Sequence, residues 1–219
     1  MENESMKKSP IAGTIFKVAW LSILLGVGME LILLGIAAGF GKLPGVKAMI
    51  ADLVQKISWS TIVCAGLALG TVVSKLRAPV MGLAGLLAAP IAFNVARALH
   101  KTATQVLTVT GPVAAGPSPF LLASIKAVQY AVFGYVLGIL SRKGSSNILS
   151  YVLTGAFMGL TFGGLIVFLS VQQSQTPVPL IGLISRCANE LIFPIGCAFV
   201  LFAAQHLNLA GLKREAQTP

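Results

Sequence analysis

Six apolar runs, each long enough to cross a lipid bilayer, constrain this chain more than any other feature. They cover approximately residues 15–40, 57–75, 79–99, 120–140, 147–171 and 179–207. A spanning α-helix needs about 20 residues, because each residue adds about 1.5 Å and the hydrocarbon layer is about 30 Å thick. An α-helix also satisfies its backbone hydrogen bonds within one segment, as lipid requires. The runs therefore predict an all-α polytopic membrane protein with six transmembrane helices.

The composition of the chain excludes an ordinary soluble domain. Of its 219 residues, 56% are hydrophobic and 10% are charged, whereas about 25% are charged in soluble domains. The net charge of +10 would suggest a nucleic-acid partner in a soluble protein. Here Lys and Arg lie mostly between the apolar runs, without interleaved aromatic residues, so we expect no nucleic acid. The expected partners are the lipid bilayer and either further copies of the chain or a membrane-protein complex.

The distribution of Lys and Arg predicts that both termini are cytoplasmic. Residues 1–10 resemble the basic start of a signal peptide, but the following apolar run is too long for one and is predicted to remain as the first helix. With both termini inside, the inner segments hold eight Lys and Arg residues and the outer segments five, as cytoplasmic loops prefer. The inner set is Lys7, Lys8, Lys75, Arg77, Arg142, Lys143, Lys213 and Arg214, and the outer set is Lys42, Lys47, Lys56, Arg97 and Lys101.

The segments between the runs divide the chain into two halves. Residues 1–100 are predicted to form a first three-helix repeat, 101–119 a loop with two Gly-Pro pairs, 120–212 a second three-helix repeat and 213–219 a polar tail. Residues 44–57 carry apolar side chains at helical spacing with polar ones on the other side. This pattern predicts an amphipathic helix in the membrane interface. A single long tilted helix over residues 45–75 is the alternative.

An internal similarity suggests that the two halves are inverted repeats. Residues 60–71 align with 150–161, and both segments begin with Ser and end with Thr. Pro79 and Gly82 align with Pro179 and Gly182, and Phe93 then falls on Phe193. A unit of three spans is odd, so a second copy enters the membrane upside down, as in many transporters. The alternative is that small and apolar residues align by chance in any membrane protein.

Polar side chains inside the apolar runs are the candidate functional residues. A charge in the membrane costs at least about 2.5–3.5 kcal/mol, so such groups are expected to meet one another or to line a wet cavity. The helical rise places most of them roughly 8–13 Å below the outer boundary. The predicted substrate-binding set is Glu30, Asn94, Lys126, Gln129, Arg186, Asn189 and Glu190.

Two interpretations of this polar level remain open from the sequence. In the structural one, Arg186 and Glu190 pair along their own helix at i, i+4, and Glu30 with Lys126 joins the first and fourth spans. In the functional one, the same groups line a wet vestibule, where Glu30 or Glu190 exchanges a proton or binds a cation.

The sequence carries no signature of an enzyme. HExxH, GxSxG and GxxxxGK[ST] are absent, and Cys64, Cys187 and Cys197 have no CxxC spacing. We therefore expect no catalysis, no cofactor and no metal, with the cysteines acting as small apolar residues. The predicted function is a channel or transporter for a small solute or ion, with a polar pathway between the third and sixth helices. The alternative is a non-catalytic membrane subunit that assembles or anchors a larger complex.

Overall fold

The structure is a computed structural model that describes residues 10–71, 76–109, 116–143, 147–174 and 177–215. Within these ranges the regular structure is entirely helical. The helices are α1 (Pro10–Gly39), α2 (Val46–Thr71), α3 (Arg77–Val106), α4 (Pro119–Arg142), α5 and α6 (Leu180–Glu215). Helix α5 consists of Ile148–Met158 and Gly164–Gln172, joined by a π-helical turn at Gly159–Gly163.

The prediction of an all-α protein with six helices long and apolar enough to span a membrane is confirmed. The chain is accordingly a multi-pass integral membrane protein. Its outer surface carries many exposed large apolar side chains, among them Phe16, Leu83, Phe120, Phe157 and Leu160. Such a surface is stable in lipid, where it costs nothing to leave apolar groups unburied by protein.

The structure does not show a separate interfacial helix at residues 44–57. This segment is the first part of the continuous helix α2, which is close to the alternative of a single long helix over residues 45–75. Ala51 in the middle of the segment is fully buried. Its polar face contacts other helices, since Asp52 lies 3.0 Å from His100 and Lys56 lies 2.6 Å from Glu30. With partners inside the bundle, these side chains need not lie at the membrane surface.

The predicted loop at 101–119 is shorter than expected, since α3 continues to Val106 and α4 begins at Pro119. Lys101, Thr102 and Gln105 are exposed. The helix therefore continues beyond the end of its apolar run. The Ser118 hydroxyl caps α4 by accepting a hydrogen bond from Leu121 N at 3.2 Å. Likewise, α6 extends to Glu215 and includes the start of the predicted tail at 213–219.

Some sequence predictions fall outside the described residues. They concern the basic N-terminal segment with Lys7 and Lys8, Lys75 at the end of the second apolar run, the first Gly-Pro pair of the loop, and residues 216–219 of the tail.

The six helices form a ring in which each packs against its neighbours in the sequence and α6 returns to pack against α1. The tightest crossing joins α3 to α4. A Cβ added at Gly85 would lie 2.6 Å from the carbonyl carbon of Tyr130, and one at Gly134 would lie 2.8 Å from that of Met81. Glycine on both helices therefore lets the two backbones touch, which is the usual way that membrane helices approach closely.

Two of the cysteines meet in the centre of the ring. Cys64 of α2 donates a thiol hydrogen bond to Cys197 of α6 across 3.4 Å, and both side chains are fully buried. Cys187, by contrast, is exposed. The two sulfur atoms are 3.4 Å apart, compared with about 2.05 Å in a disulfide bond.

Because of this contact, oxidation of the purified protein with iodine is expected to form a Cys64–Cys197 disulfide. Of the three thiols, one should remain titratable after denaturation. The Cys64→Ala variant is the control and should keep both of its remaining thiols after the same treatment. Three titratable thiols in the oxidised protein would contradict the packing of α2 against α6.

Candidate functional site

A cavity of about 710 Å³ opens at one end of the ring. This is the end at which α1, α3 and α5 finish and α2, α4 and α6 begin. Most of its lining comes from α2 and α6, with Phe93 and Ala96 from α3, Lys126 from α4, and Ile166, Val167 and Ser170 from α5. Its volume lies in the range of small-molecule sites, and five of its lining side chains carry charges: Asp52, Lys56, Lys126, Arg186 and Glu190.

The first charged contact of the cavity is an ion pair between Lys126 of α4 and Glu190 of α6. The Lys126 ammonium donates a hydrogen bond to Glu190 Oε2, and both side chains are mostly shielded, with exposed fractions of 10% and 14%. Lys126 Nζ also lies 5.5 Å from the centre of the Trp59 ring, a cation–π distance. Charge, hydrogen bond and aromatic face together hold this ammonium at the cavity wall.

The second contact is an ion pair between Lys56 and Glu30, whose Nζ and Oε2 atoms are 2.6 Å apart. The expectation that Glu30 pairs with Lys126 is therefore wrong. The cause is the continuity of α2, since Lys56 is ten residues from its start at Val46 and lies about 15 Å inside the helix. An ammonium from a neighbouring helix at that depth neutralises Glu30, and this leaves Lys126 to Glu190.

Arg186 and Asn189 line the cavity. The sequence predicted both among the polar side chains that share one depth in the membrane. The expected pair between Arg186 and Glu190 along α6 does not form, because Glu190 faces Lys126. Arg186 is partly buried, and within the described part of the chain its guanidinium has no ion-pair or hydrogen-bond partner. Of the charged side chains that line the cavity, it is the one left unpaired.

Three residues of the predicted set lie outside the cavity lining: Glu30, which pairs with the lining residue Lys56, Asn94 and Gln129. Asn94 is exposed, and its amide donates to the carbonyl of Pro90 at 2.8 Å within its own helix. Gln129 is fully buried, and its Nε2 donates to Met158 O at 3.3 Å. That carbonyl immediately precedes the π-helical turn, where the regular hydrogen-bond ladder is interrupted and a side-chain donor is useful. Gln129 therefore stabilises the irregular part of α5.

Several residues of the site were not predicted from the sequence. Asp52 and His100 form a contact of 3.0 Å at the half-exposed rim, and Gln55, Trp59 and Ser185 line the wall. A sequence signal existed for Asp52, Gln55 and Lys56, because they share the polar face of the segment at 44–57. The signal was attributed to the membrane interface instead of to the interior.

Aromatic side chains form the floor of the cavity. The Trp59 ring lies edge-on to Tyr130 and Phe193, with centroid distances of 5.8 and 6.3 Å. Below them the core is filled by Leu67, Phe133 and other side chains that are fully buried. The cavity thus ends partway through the bundle.

The opposite end of the ring is held together by a polar network from four helices. Arg77 Nη1 of α3 donates to Ser141 Oγ of α4 at 3.0 Å and to Ser141 O at 3.3 Å. The Ser141 hydroxyl donates to Gln205 Oε1 of α6 at 3.1 Å, and the Tyr151 hydroxyl of α5 donates to the same oxygen at 3.3 Å. These four helices also line the cavity at the other end.

Comparison of the chain with family models, with curated proteins and with solved structures finds no match in any of the three. The residues of the site provide a half-enclosed chamber with two internally neutral ion pairs, an aromatic floor and a guanidinium that is unpaired among the described residues.

Proposed function

We propose that the protein is a membrane transporter that passes a small solute or ion through the polar chamber described above. One observation carries the proposal: the chamber opens at one end of the ring, while the same helices are joined by a polar network at the other end. Helices α3 and α6 both contribute, through Phe93 on one side and Arg186, Asn189 and Glu190 on the other.

The one-sided chamber supports a carrier more than an open channel. A channel needs a continuous wet path, whereas here Tyr130, Phe133 and Leu67 fill the ring below the floor. In alternating access, one end of a binding site is open while the other is closed by contacts that can break. The hydrogen bonds of Arg77, Ser141, Gln205 and Tyr151 are suited to that role, because exchange with water makes each worth only about 1 kcal/mol net.

The order of the ring supports the proposal of two inverted three-helix repeats. If α1, α2 and α3 correspond to α4, α5 and α6, each contact of the ring maps onto another, and the α3–α4 contact maps onto α6–α1. Phe93 and Phe193, which the sequence alignment pairs, both line the chamber.

The proposed orientation has both termini in the cytoplasm. The closed end then faces inward, where Arg77, Arg142 and Lys143 agree with the preference of Lys and Arg for the cytoplasmic side. The chamber opens outward in this state. Lipid and further copies of the chain are the proposed partners of the apolar outer surface.

Replacing Arg77 by Ala is expected to open the closed end. The substitution removes two hydrogen bonds to Ser141, together worth about 2 kcal/mol, so the fraction of protein open at this end should rise roughly 30-fold. The reporters are single cysteines in a background without Cys64, Cys187 and Cys197: Ala204→Cys, which is buried beside Gln205, and Ser185→Cys in the chamber. The rate of labelling by a membrane-impermeant maleimide should increase at position 204 when the reagent is added on the Arg77 side. It should decrease at position 185 when the reagent is added on the side of the chamber.

The matched control is Arg142→Ala, since Arg142 is exposed at the same end of the bundle and takes no part in the network. It should leave both labelling rates unchanged. If Arg77→Ala also leaves both rates unchanged, the closed end is not a gate. The protein would then be better described as a non-transporting subunit that assembles or anchors a larger membrane complex.

A further inference from the structure

We infer that the chamber binds an organic anion, in which a single carboxylate or phosphate group on an apolar body docks on Arg186. This inference deepens the proposed function, on which it rests in taking the chamber as the solute site. Its starting point is the pairing of charges along the chamber wall.

Every other charged side chain of the lining already has a partner. Lys56 contacts Glu30, Lys126 contacts Glu190, and Asp52 contacts His100. The first two pairs are largely shielded, with exposed fractions between 7% and 14%, whereas the third lies at the more open rim. Neither carboxylate of the two inner pairs is therefore available to neutralise Arg186.

A partly buried, unpaired guanidinium is costly unless something neutralises it. Arg186 lies six residues into α6 from Leu180, which corresponds to a depth of about 9 Å along the helix. The planar fork of a guanidinium matches the two oxygens of a carboxylate or a phosphate. Ser185 and Asn189, which flank it on the lining, provide neutral hydrogen-bonding groups that do not compete with an anion.

The remaining wall explains why the ligand should carry an apolar body. Trp59, Phe93 and Phe193 provide aromatic surface, and Leu33, Ile166 and Val167 provide aliphatic surface, all around the same chamber. A small inorganic anion would leave this surface in contact with water. An aromatic or aliphatic group of moderate size would cover it, while its charged end reaches Arg186.

Two sources can supply this chemistry, a water-soluble organic acid or the headgroup of an anionic lipid. The test uses the intact protein in detergent with Trp20→Phe, because the chain has two tryptophans and the other one, Trp59, lines the chamber. One arm titrates phenylacetate against its neutral analogue phenylacetamide. The other arm adds mixed micelles containing phosphatidate or the neutral lipid phosphatidylcholine. Emission from Trp59 is the readout in both.

We expect a saturable change in Trp59 emission with one of the two anions and none with its neutral counterpart. In Arg186→Gln the apparent Kd should rise about 10- to 100-fold, the usual cost of losing a charge-assisted hydrogen bond. The apparent Kd of Arg186→Lys should lie between those of the parent and of Arg186→Gln, because lysine keeps the charge but lacks the planar fork of the guanidinium. The matched control Arg97→Gln, at an exposed arginine of α3 outside the lining, should bind as the parent does.

Arg186 has no ion-pair partner within the described part of the chain, so its replacement should not lower the thermal unfolding midpoint, and this measurement confirms folding. The inference is overturned if neither anion changes the emission, or if Arg186→Gln and Arg97→Gln bind equally well. Its failure is separable from failure of the proposed function, because equilibrium binding needs no gate and the labelling of Ala204→Cys needs no ligand.

Discussion

Replacing Lys126 by Met is expected to destabilise the protein by about 3 kcal/mol, because it leaves the shielded carboxylate of Glu190 without its counter-charge. Removing one member of a buried ion pair typically costs about 3–5 kcal/mol. The lower end applies here, since Glu190 lines the cavity and water there hydrates it in part. With about 2–4 °C for each kcal/mol in a chain of this length, the thermal midpoint in detergent should fall clearly.

The double variant Lys126→Met/Glu190→Leu separates the stranded charge from lost packing. It removes both members of the pair, and such replacements are often neutral or stabilising, so most of the lost stability should return. Lys101→Met is the matched control, since Lys101 is exposed on α3 and should change the midpoint little. A double variant no more stable than Lys126→Met would mean that the two side chains are not coupled.

Replacing Gly85 by Ala is expected to force α3 and α4 apart. The new Cβ would contact the carbonyl group of Tyr130, with 2.6 Å to its carbon, and would also lie 3.2 Å from Leu67 Cδ2. Backbone atoms cannot move aside by changing rotamer, so the helices must shift. Overpacking of this kind costs about 1–3 kcal/mol, occasionally more, and should appear as a lower thermal midpoint and a broader elution profile.

The matched control is Gly28→Ala, because nothing lies within 4 Å of the Cβ that it would add. In the middle of a helix this substitution removes backbone freedom from the unfolded chain, so it should stabilise by about 0.5–1 kcal/mol. The two variants thus add the same methyl group with opposite expected signs. If Gly85→Ala were tolerated as well as Gly28→Ala, α3 and α4 would not be in backbone contact.

The sequence predicted the boundaries of the helices only where the end of an apolar run coincides with the end of a helix. The six spans follow from run length, but Lys101 to Val106 belong to α3 although they are mostly polar, because a helix continues into water after its apolar run has ended. Asp52 and Lys56, by contrast, were predicted at the membrane interface and lie inside the bundle. Polar residues at helical spacing are typical of an interfacial helix, and only their contacts with His100 and Glu30 reveal an interior position.

The depth of the polar residues along each helix was determined by the sequence, because a fixed rise per residue converts position into height. Lys126, Arg186, Asn189 and Glu190 indeed line one cavity at one end of the ring. The depth of a side chain along its helix did not identify its ion-pair or hydrogen-bond partner. Asn94 lies on an outward-facing side of α3 and bonds its own helix, since the rotation of a helix decides which of its side chains face inward.

The sequence by itself determined that the chain has six helices long and apolar enough to cross a membrane, and it predicted that the polar side chains within them lie near one level. Only the tertiary structure decided that Lys126 pairs with Glu190 across 64 positions of sequence and that Lys56 neutralises Glu30. It also decided that Arg186 has no ion-pair partner among the residues that the structure describes. The physical reason is that length and hydropathy are local properties of a segment. The pairing of charges depends on how far each helix is rotated and how closely it approaches the next, as Gly85 and Gly134 do for α3 and α4.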